Sequence, residues 1–288
     1  MMPLRRFAIH QPQGVSEASE LLDHYGEKAR LYAGGTELLL AMKHDLLRYE
    51  HLVDTKTVPG LNQIDLQDSY LRIGATVTHR AIERSPLVRD HIPVMAEMAA
   101  QVANVRVRAT GTLGGNLCFA EPHSDPATLL IGLKARTRVH GRAGEKTVPI
   151  DELIVGAYET ALGSDELLTA IEIPLPARTQ RAAYLKFQVH ERPLLGLALV
   201  LNMDDAGRAV REATVVVGCV SPRPCRSEKA EALLSGPIDK VKAQLTDAGE
   251  ALADAADLMD DLEGGADYKR HLIGVLLRRA FAQALSRS

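Results

Sequence analysis

Ala33-Gly34-Gly35-Thr36-Glu37 and Thr112-Leu113-Gly114-Gly115-Asn116 are two glycine-centred segments, and each follows an apolar stretch of the chain. Glycine has no Cβ, so it lets backbone N–H groups turn toward a ligand at close range. Oriented N–H groups in such turns can bind phosphate with few or no lysines. Two such segments in one chain therefore predict an extended diphosphate ligand that is held from both sides.

Each segment also has a simpler interpretation. Gly34-Gly35 alone is equally typical of a tight turn between a strand and a helix. The second segment lies in a longer stretch, 110–117, that is rich in hydroxyl and glycine residues. This stretch can expose several amides and the side chains of Thr112 and Asn116. The run is neither a Rossmann GxGxxG nor a Walker A motif, and no acidic residue lies where a Rossmann ribose contact would need it. FAD is the leading candidate for the ligand.

The composition is that of an ordinary globular chain: of 288 residues, 46% are hydrophobic and 25% are charged. The formal net charge of −3 gives no electrostatic case for binding nucleic acid or an anionic membrane. No apolar run approaches the roughly 20 residues that a membrane helix needs, and the N-terminus lacks the apolar stretch of a secretory signal. We expect a cytoplasmic protein that is not integral to a membrane and does not bind nucleic acid.

The three cysteines, Cys118, Cys219 and Cys225, form no CxxC pair and no set of four thiolates. We therefore expect no iron–sulfur cluster or zinc finger on this chain, and free thiols are the simplest interpretation of all three. A sparse, odd count fits a reducing cytosol. The ten histidines show no HxxxH or HExxH spacing, so no metal site is predicted.

The pattern of residues 1–55 predicts an α/β unit in the order strand, helix, strand, helix, strand. Helical spacing covers residues 15–25, with Ser16 as a candidate N-cap. A strand at 29–33 ends at the first glycine pair, Thr36 can cap a helix over 37–46, and a strand follows at 51–54.

Residues 56–176 predict a second α/β unit, and residues 177–288 predict an antiparallel sheet with helices. The second unit is expected to have strands at 70–75, 135–140 and 167–174 and helices that begin at Thr78, Pro93 and Asp125. The third is expected to have strands at 184–189, 195–202 and 213–220, with a hairpin turn at Asp204-Asp205-Ala206-Gly207. Its last helix, 267–285, has an apolar stripe of Tyr268, Leu272, Leu276 and Ala280.

Two charged residues have both a structural and a binding interpretation. Asp125 precedes Pro126, which is typical of an N-cap followed by proline in the first helical turn; its carboxylate could also accept hydrogen bonds from ribose or ribityl hydroxyls. Lys186 lies in a predicted strand, so it is either a solvated side chain or a cation near the flavin or the diphosphate.

No catalytic group stands out. The glycine segments offer no nucleophile elbow, so neither a Ser-His-Asp nor a Cys-His triad is indicated. Glu121 and Asp125 are paired carboxylates by proximity in sequence only, and Asp204 and Asp205 are typical turn residues.

Several ordered motifs resemble the FAD-binding medium subunit of the molybdenum hydroxylases, the family that includes bacterial carbon monoxide dehydrogenase and xanthine dehydrogenase. The resemblance spans essentially the whole chain, and its motifs are far more specific together than a single glycine pair. They are AGGTE at 33–37, TLGGN at 112–116 with its continuation Ala120-Glu121-Pro122-His123-Ser124-Asp125, DELLTAIEIP at 165–174, Tyr184-Leu185-Lys186, Gly218 with Pro222, Arg223, Pro224 and Arg226, and Asp267-Tyr268-Lys269-Arg270.

The resemblance implies an α+β fold in which two α/β subdomains, residues 1–55 and 56–176, sandwich FAD as in the PCMH/VAO-type FAD-binding fold. Residues 177–288 then form a C-terminal three-stranded antiparallel sheet with a helix bundle. It implies no catalytic and no metal-binding residue on this chain. The implied FAD-binding residues are Tyr32, Ala33, Gly34, Gly35, Thr36, Glu37, Thr112, Leu113, Gly114, Gly115, Asn116, Asp125, Leu168 and Lys186.

The function implied by the resemblance is electron transfer within a molybdenum-containing hydroxylase or dehydrogenase. Substrate would be oxidised at a molybdopterin-bound molybdenum in a large partner subunit. Electrons would pass through two [2Fe-2S] clusters of a small partner subunit to FAD on this chain, and then to an external acceptor. The implied assembly is a dimer of heterotrimers. Two alternatives stay open: a self-sufficient flavin-dependent oxidoreductase of the same fold, and a nucleotide-binding scaffold without redox chemistry.

One segment departs from the family pattern. In carbon monoxide dehydrogenase, the segment after the strand lysine carries a tyrosine beside the flavin ring. Here the corresponding stretch is Glu191-Arg192-Pro193-Leu194-Leu195-Gly196, so Leu194 takes the place of that tyrosine. We therefore expect the face of the flavin ring to be covered differently in this protein.

Overall fold

The computed structural model describes residues 4–189 and 192–286. The first unit is a small parallel sheet of order β1-β3-β2, and its element order is the one that the sequence predicts. Its elements are β1 (Ala8–His10), α1 (Val15–Tyr25), β2 (Ala29–Tyr32), α2 (Leu38–Lys43) and β3 (His51–Asp54).

Both predicted caps of this unit are wrong. Gly14 occupies the N-cap position of α1, and Ser16 lies inside the helix. Glu37 occupies the N-cap position of α2 without a side-chain hydrogen bond, so Thr36 does not cap it. In both cases a glycine turn, and not a side-chain oxygen, sets the direction in which the chain enters the helix.

The second unit is built on an antiparallel sheet of order β4-β5-β10-β6-β7. Its central strand, β10, is buried on both faces, which explains why its sequence LLTAIEI is apolar apart from Thr169 and Glu172. The elements are β4 (Ile64–Gln67), β5 (Tyr70–Gly74), α3 (His79–Arg84), α4 (Pro86–His91), α5 (Pro93–Gln101), α6 (Val105–Thr110), α7 (Leu113–Phe119), α8 (Asp125–Gly132), β6 (Arg136–Gly141), β7 (Gly144–Pro149), α9 (Ile150–Leu153), β8 (Ile154–Gly156), β9 (Glu159–Thr160) and β10 (Leu167–Pro174).

The third unit is an antiparallel sheet in which three long strands, β11, β12 and β13, lie side by side. The predicted hairpin is present: the Asp204 amide donates to the Ala209 carbonyl at 2.8 Å. The elements are β11 (Gln180–Gln188), β12 (Pro193–Met203), β13 (Ala209–Gly218), β14 (Cys225–Arg226), α10 (Glu228–Leu233), β15 (Gly236–Pro237), α11 (Ile238–Ala255) and α12 (Ala266–Ser286).

Helices cover both faces of this third sheet. On one face, α11 and α12 form a core with Leu197, Leu199 and Val217. On the other face, α8 of the second unit packs against Ala198 and Val200, which belong to the core of the second unit. The apolar stripe of α12 begins at Leu272, because Tyr268 is 48% exposed.

The three larger sheets of the described residues fall one each within the segments 1–55, 56–176 and 177–288, and the small sheet of β8 and β9 falls within the second; these domain boundaries stay a prediction. The first unit packs against the second through α1, whose Ala18 and Leu22 contact Leu167 of β10. No helix among the described residues is both long enough and apolar enough to cross a bilayer.

Candidate functional site

A cleft with a cavity volume of about 310 Å³ lies between the first and second units. Both glycine segments line it, and the first segment contacts the residues directly before the second. Gly34 packs against the backbone of Thr110 and Gly111, so closely that a Cβ built on Gly34 would lie 2.1 Å from the Thr110 carbonyl oxygen. The fold thus brings two segments that are distant in sequence to a single site.

The first glycine segment presents unpaired amides. Gly35 has a φ of +68°, a left-handed conformation that a Cβ disfavours, and its backbone turns the chain from β2 toward α2. The ring of Tyr32 folds over it, 2.6 Å from where a Cβ would stand. Within the described part of the chain, the amides of Gly34, Gly35, Thr36 and Glu37 donate to no protein atom. Free, oriented N–H groups of this kind suit an anionic ligand.

The segment that follows β3 holds this loop in place. Thr55 Oγ1 donates to the Tyr32 carbonyl and Lys56 Nζ donates to the Ala33 carbonyl, both at 3.1 Å. Lys56 also pairs with Asp54 at 2.8 Å and lies over the Tyr32 ring, 3.8 Å from its centre. The carbonyl groups before the glycines are therefore tied to the protein, while the amides that follow remain available.

The second glycine segment is the first turn of a helix and not an open loop. Thr112 is the N-cap of α7, and its Oγ1 accepts a hydrogen bond from the Gly115 amide at 3.1 Å. The amides of Leu113 and Gly114 donate to carbonyls of residues 75–77, both at 2.9 Å. The expectation that both segments turn free amides toward a ligand is therefore wrong for this one, because neighbouring groups of the protein already use its amides.

The two glycines of the second segment have different surroundings. Gly114 is buried, and a Cβ there would lie 2.6 Å from the Ala75 side chain. Gly115 is exposed on the cleft, and a Cβ there would meet only the hydroxyl of its own helix cap, at 2.7 Å. Asn116 also lines the cleft, and its Oδ1 accepts from Ser124 Oγ at 2.6 Å. This segment therefore offers a ligand close backbone at Gly115 and the amide nitrogen of Asn116.

Two buried polar atoms beside the cleft have no partner among the described residues: Thr76 Oγ1 and His79 Nδ1. Burial, and next the charge of Arg108, lowers the pKa of His79 to about 4, so the imidazole is neutral at pH 7. An unpaired buried polar group costs about 1–3 kcal/mol. A ligand that carries hydroxyl or phosphate oxygens would remove part of that cost.

Asp125 is buried at the edge of the cleft, and its carboxylate faces the protein interior. It accepts hydrogen bonds from Tyr184 Oη at 2.6 Å and from Lys186 Nζ at 3.1 Å. Burial raises the pKa of Asp125, and the charge of Lys186 opposes that rise. Ser124 is the N-cap of α8, so the N-cap interpretation of Asp125 is wrong. Lys186 is 4% exposed and also donates to the Gln101 carbonyl, so the solvated interpretation of Lys186 is wrong as well.

Charged side chains from all three units meet at one end of the cleft. Arg192 lies 3.3 Å from Glu121 and 3.8 Å from Glu37. Burial raises the pKa of Glu37 despite Arg192. Burial acts on Glu121 in the same direction, but the hydrogen bond from His123 and the charge of Arg192 outweigh it and lower the pKa of Glu121. The Tyr158 hydroxyl is 3.5 Å from the same carboxylate.

Most of the residues marked by the family resemblance line this cleft. They are Tyr32, Ala33, Gly34, Gly35, Thr36, Glu37, Thr112, Gly114, Gly115, Asn116, Asp125 and Leu168. Leu113 and Lys186 do not line it. The Leu113 side chain is fully buried in the core of the second unit. Lys186 lies outside the cleft and donates a hydrogen bond to Asp125, which does line the cleft.

The segment expected to cover the flavin ring is arranged differently. Glu191 lies outside the described residues. Arg192 and Pro193 line the cleft, whereas Leu194 is fully buried in the C-terminal core, where it packs beside Gly264. Leu194 therefore does not line the cleft, and the different covering of the flavin ring stays a prediction.

Sequence reasoning missed the cleft residues Thr76, His79, His123 and Arg192. A usable signal existed for the first two, since Thr76 lies in the turn between a predicted strand and a predicted helix, where binding groups concentrate, and His79 lies in the first turn of that helix. His123 and Arg192 had no sufficient local signal, because Asp261 and Glu37, which complete their contacts, are distant in sequence.

Comparison with known proteins agrees with this geometry. Residues 5–176 match the family described as the FAD binding domain in molybdopterin dehydrogenase, and residues 184–284 match the CO dehydrogenase flavoprotein C-terminal domain. The carbon monoxide dehydrogenase medium chain of Hydrogenophaga pseudoflava is 34% identical, with 98% of each chain covered. The nicotine 6-hydroxylase medium subunit of Paenarthrobacter nicotinovorans is 30% identical, covering 100% of this chain and 99% of that one.

The fold is similar to solved structures over its full length. The structure of reconstituted CO dehydrogenase from Oligotropha carboxidovorans superposes with a TM-score of 0.94 at 31% identity, and 100% of both chains is covered. The chain therefore belongs to the family of FAD-binding medium subunits of molybdenum hydroxylases, which are oxidoreductases, and FAD is its cofactor.

The residues of the cleft fit this cofactor. Unpaired amides at residues 34–37 suit an anionic diphosphate. Thr76 and His79 suit hydroxyl or phosphate oxygens, and the absence of a Cβ at Gly115 leaves room for close approach of a ligand.

Proposed function

We propose that this chain is the electron-transfer flavoprotein of a molybdenum hydroxylase. It binds FAD in the cleft, receives electrons from [2Fe-2S] clusters on a small partner subunit and passes them to an external acceptor. Substrate is oxidised at the molybdenum centre of a large molybdopterin-binding subunit, and the assembly is a cytoplasmic dimer of heterotrimers. Support comes from relatives that are named medium chains or medium subunits and are covered over nearly their whole length.

The chemistry at this junction is supplied by the cofactor, since a bound flavin exchanges electrons singly and in pairs. The chain's own residues bind and orient it. In the proposed site, the amides of Gly34 to Glu37 hold the diphosphate, and Gly115 and Asn116 close on it from the opposite wall. Leu168 contributes an apolar surface, and Lys186 acts through Asp125.

The observation that carries this proposal is the meeting of the two glycine segments at one cleft. Gly34 touches Thr110 and Gly111 directly before the second segment, so the unpaired amides and the open Gly115 backbone face a common space. A dinucleotide in that space would contact both units. Its binding energy would be shared between the two segments, so neither segment needs a lysine-rich loop.

Native co-purification tests the proposed assembly. An untagged complex isolated from the host should contain this chain with two further subunits, one FAD per copy of this chain, and molybdenum and iron. Elution as a lone flavoprotein that turns over a small substrate would contradict the proposal and favour a self-sufficient oxidoreductase. A colourless lone chain that releases no flavin on denaturation would favour a scaffold.

Selective removal of FAD tests the electron-transfer role. In a complex stripped of FAD but retaining its iron and molybdenum, substrate should still reduce the iron–sulfur clusters, whereas reduction of the external acceptor should be lost. Adding FAD back should restore it. Undiminished reduction of the acceptor by the stripped complex would contradict the proposed route.

A further inference from the structure

His123 joins the wall of the cleft to the C-terminal unit. It lies in the segment between α7 and α8, and it lines the cleft. Its Nδ1 is 3.1 Å from Glu121 Oε1, and its Nε2 is 3.0 Å from Asp261 Oδ2, on the segment before α12. A neutral imidazole has one N–H donor, so it can satisfy only one of two ionised carboxylates. Contact with both carboxylates is the geometry of an imidazolium.

The carboxylate of Asp261, in the C-terminal unit, is held in one position by several donors. The amides of Glu263 and Gly264 donate to its Oδ1 at 2.9 and 3.1 Å. The fully buried Lys269 pairs with its other oxygen and also donates to the Met259 carbonyl at 2.8 Å. The carboxylate is therefore held by three donors besides His123 and has little freedom to move.

Glu121, by contrast, belongs to the cleft. Arg192 and Tyr158 are the other titratable groups at its carboxylate. The next carboxylate along the chain, Asp125, is turned away toward Lys186 and does not face His123. The His123 backbone amide also donates to Glu121 Oε1, at 3.2 Å, so the His123 ring adds to this contact a link from the wall between α7 and α8 to Asp261.

We propose that protonated His123 is a positioning residue that ties the cleft wall at Glu121 to Asp261 and thereby strengthens FAD binding. The inference rests on the FAD site proposed above. Loss of the proton removes one of the two N–H donors and one positive charge beside a site for an anionic ligand. FAD affinity should therefore decrease as the imidazolium is lost.

The direction of the pH dependence follows from the same contacts. The hydrogen bond to Glu121, and then the one to Asp261, raises the pKa of His123 above its ordinary value, although burial opposes the rise. The contribution of His123 is therefore complete below the ordinary pKa of about 6.5. It is lost as pH increases through the raised value.

The test is the dissociation constant of FAD for the full-length chain, measured by quenching of flavin fluorescence from about pH 5.5 to about pH 9. Wild type should bind FAD about tenfold more weakly at the alkaline end, the change expected from one hydrogen bond between charged groups. His123→Gln should bind about tenfold more weakly than wild type at low pH and show little pH dependence. His271→Gln, which alters an exposed histidine of α12, should behave as wild type.

A second readout does not depend on FAD. The NMR titration of the His123 ring in the FAD-free chain should have its midpoint above about 6.5, and Glu121→Gln should lower that midpoint. A His123→Gln chain that folds and keeps both the wild-type affinity and the wild-type pH profile would overturn the inference, as would a midpoint unaffected by Glu121→Gln. Failure of wild type to bind FAD at any pH would instead overturn the FAD site itself.

Discussion

The two glycine segments share a sequence pattern but use their backbones differently. In the first, Gly35 provides a left-handed turn and the amides of residues 34–37 stay unpaired. In the second, the glycines lie in the first turn of a capped helix, and residues 75–77 and Thr112 take up its amides. A Gly-Gly pair therefore does not by itself expose amides. We expect the first segment to make most of the polar contacts with FAD, and the second to provide a close backbone wall.

The largest effect is expected for Gly34→Ala. The new Cβ would lie 2.1 Å from the Thr110 carbonyl oxygen, and backbone cannot give way as a flexible side chain can. The two segments would be forced apart, at a cost of about 3 kcal/mol in the free energy of unfolding. FAD affinity should decrease by about 100-fold or more, the equivalent of roughly two hydrogen bonds to a charged group. Calorimetry and FAD titration check both, and wild-type values for both would show that the segments do not meet.

Gly35→Ala should have the next largest effect. A φ of +68° costs a residue with a Cβ about 1–2 kcal/mol, and the Tyr32 ring must move as well. Gly60→Ala is a matched control, because Gly60 has a φ of +82° with no atom within 4 Å of the built Cβ. Both variants should lose the stability that the left-handed backbone costs, Gly35→Ala somewhat more because the Tyr32 ring must move, while only Gly35→Ala loses FAD affinity. An equal loss of FAD affinity in both variants would show that the turn at Gly35 is not part of the FAD site.

At the second segment, a double variant separates the cap from the backbone wall. Thr112→Ala should cost about 1 kcal/mol of stability through the lost N-cap. Beyond the backbone of α7, Thr112 Oγ1 is the one atom of the described residues within 4 Å of a Cβ on Gly115. The further change Gly115→Ala should therefore leave stability almost unchanged. It should still weaken FAD binding, because the methyl group enters the cleft. FAD titration of the single and double variants measures the difference, and identical affinities would mean that FAD does not approach Gly115.

The smallest effect is expected for Lys56→Met. The Lys56 side chain is 45% exposed, and exposed ion pairs contribute about 0–1 kcal/mol. Its hydrogen bond to Ala33 nevertheless fixes the loop, so FAD affinity should decrease up to about fivefold. Lys28→Met removes another exposed pair far from the loop, with Glu50, and should leave affinity unchanged. Equal titration curves for the two variants would show that the loop does not need Lys56.

The fold was predictable where local pattern and burial coincide. The order of β1, α1, β2, α2 and β3, the central strand β10 and the hairpin between β12 and β13 follow from apolar periodicity and turn residues. The edge strands β4 and β7 were missed because their side chains are largely exposed and carry little apolar pattern.

The chemistry of the site was less predictable than its location. The glycine segments marked the cleft, but whether their amides are free depends on pairing with residues 75–77, which sequence spacing does not reveal. Likewise, the contact between His123 and Asp261 joins residues 138 positions apart. The burial of Leu194 in the C-terminal core could not be read from sequence spacing, because the strand pairing is irregular there and both Leu194 and Leu195 enter that core.

Amide hydrogen exchange with and without FAD tests the central claim most directly. In the FAD-free chain, the amides at residues 34–37 should exchange quickly, while those of Leu113 and Gly114 should already be protected. Adding FAD should slow exchange at 34–37 and change little at the other two. Protection that appears at Leu113 and Gly114 only when FAD binds, with 34–37 unaffected, would contradict the account.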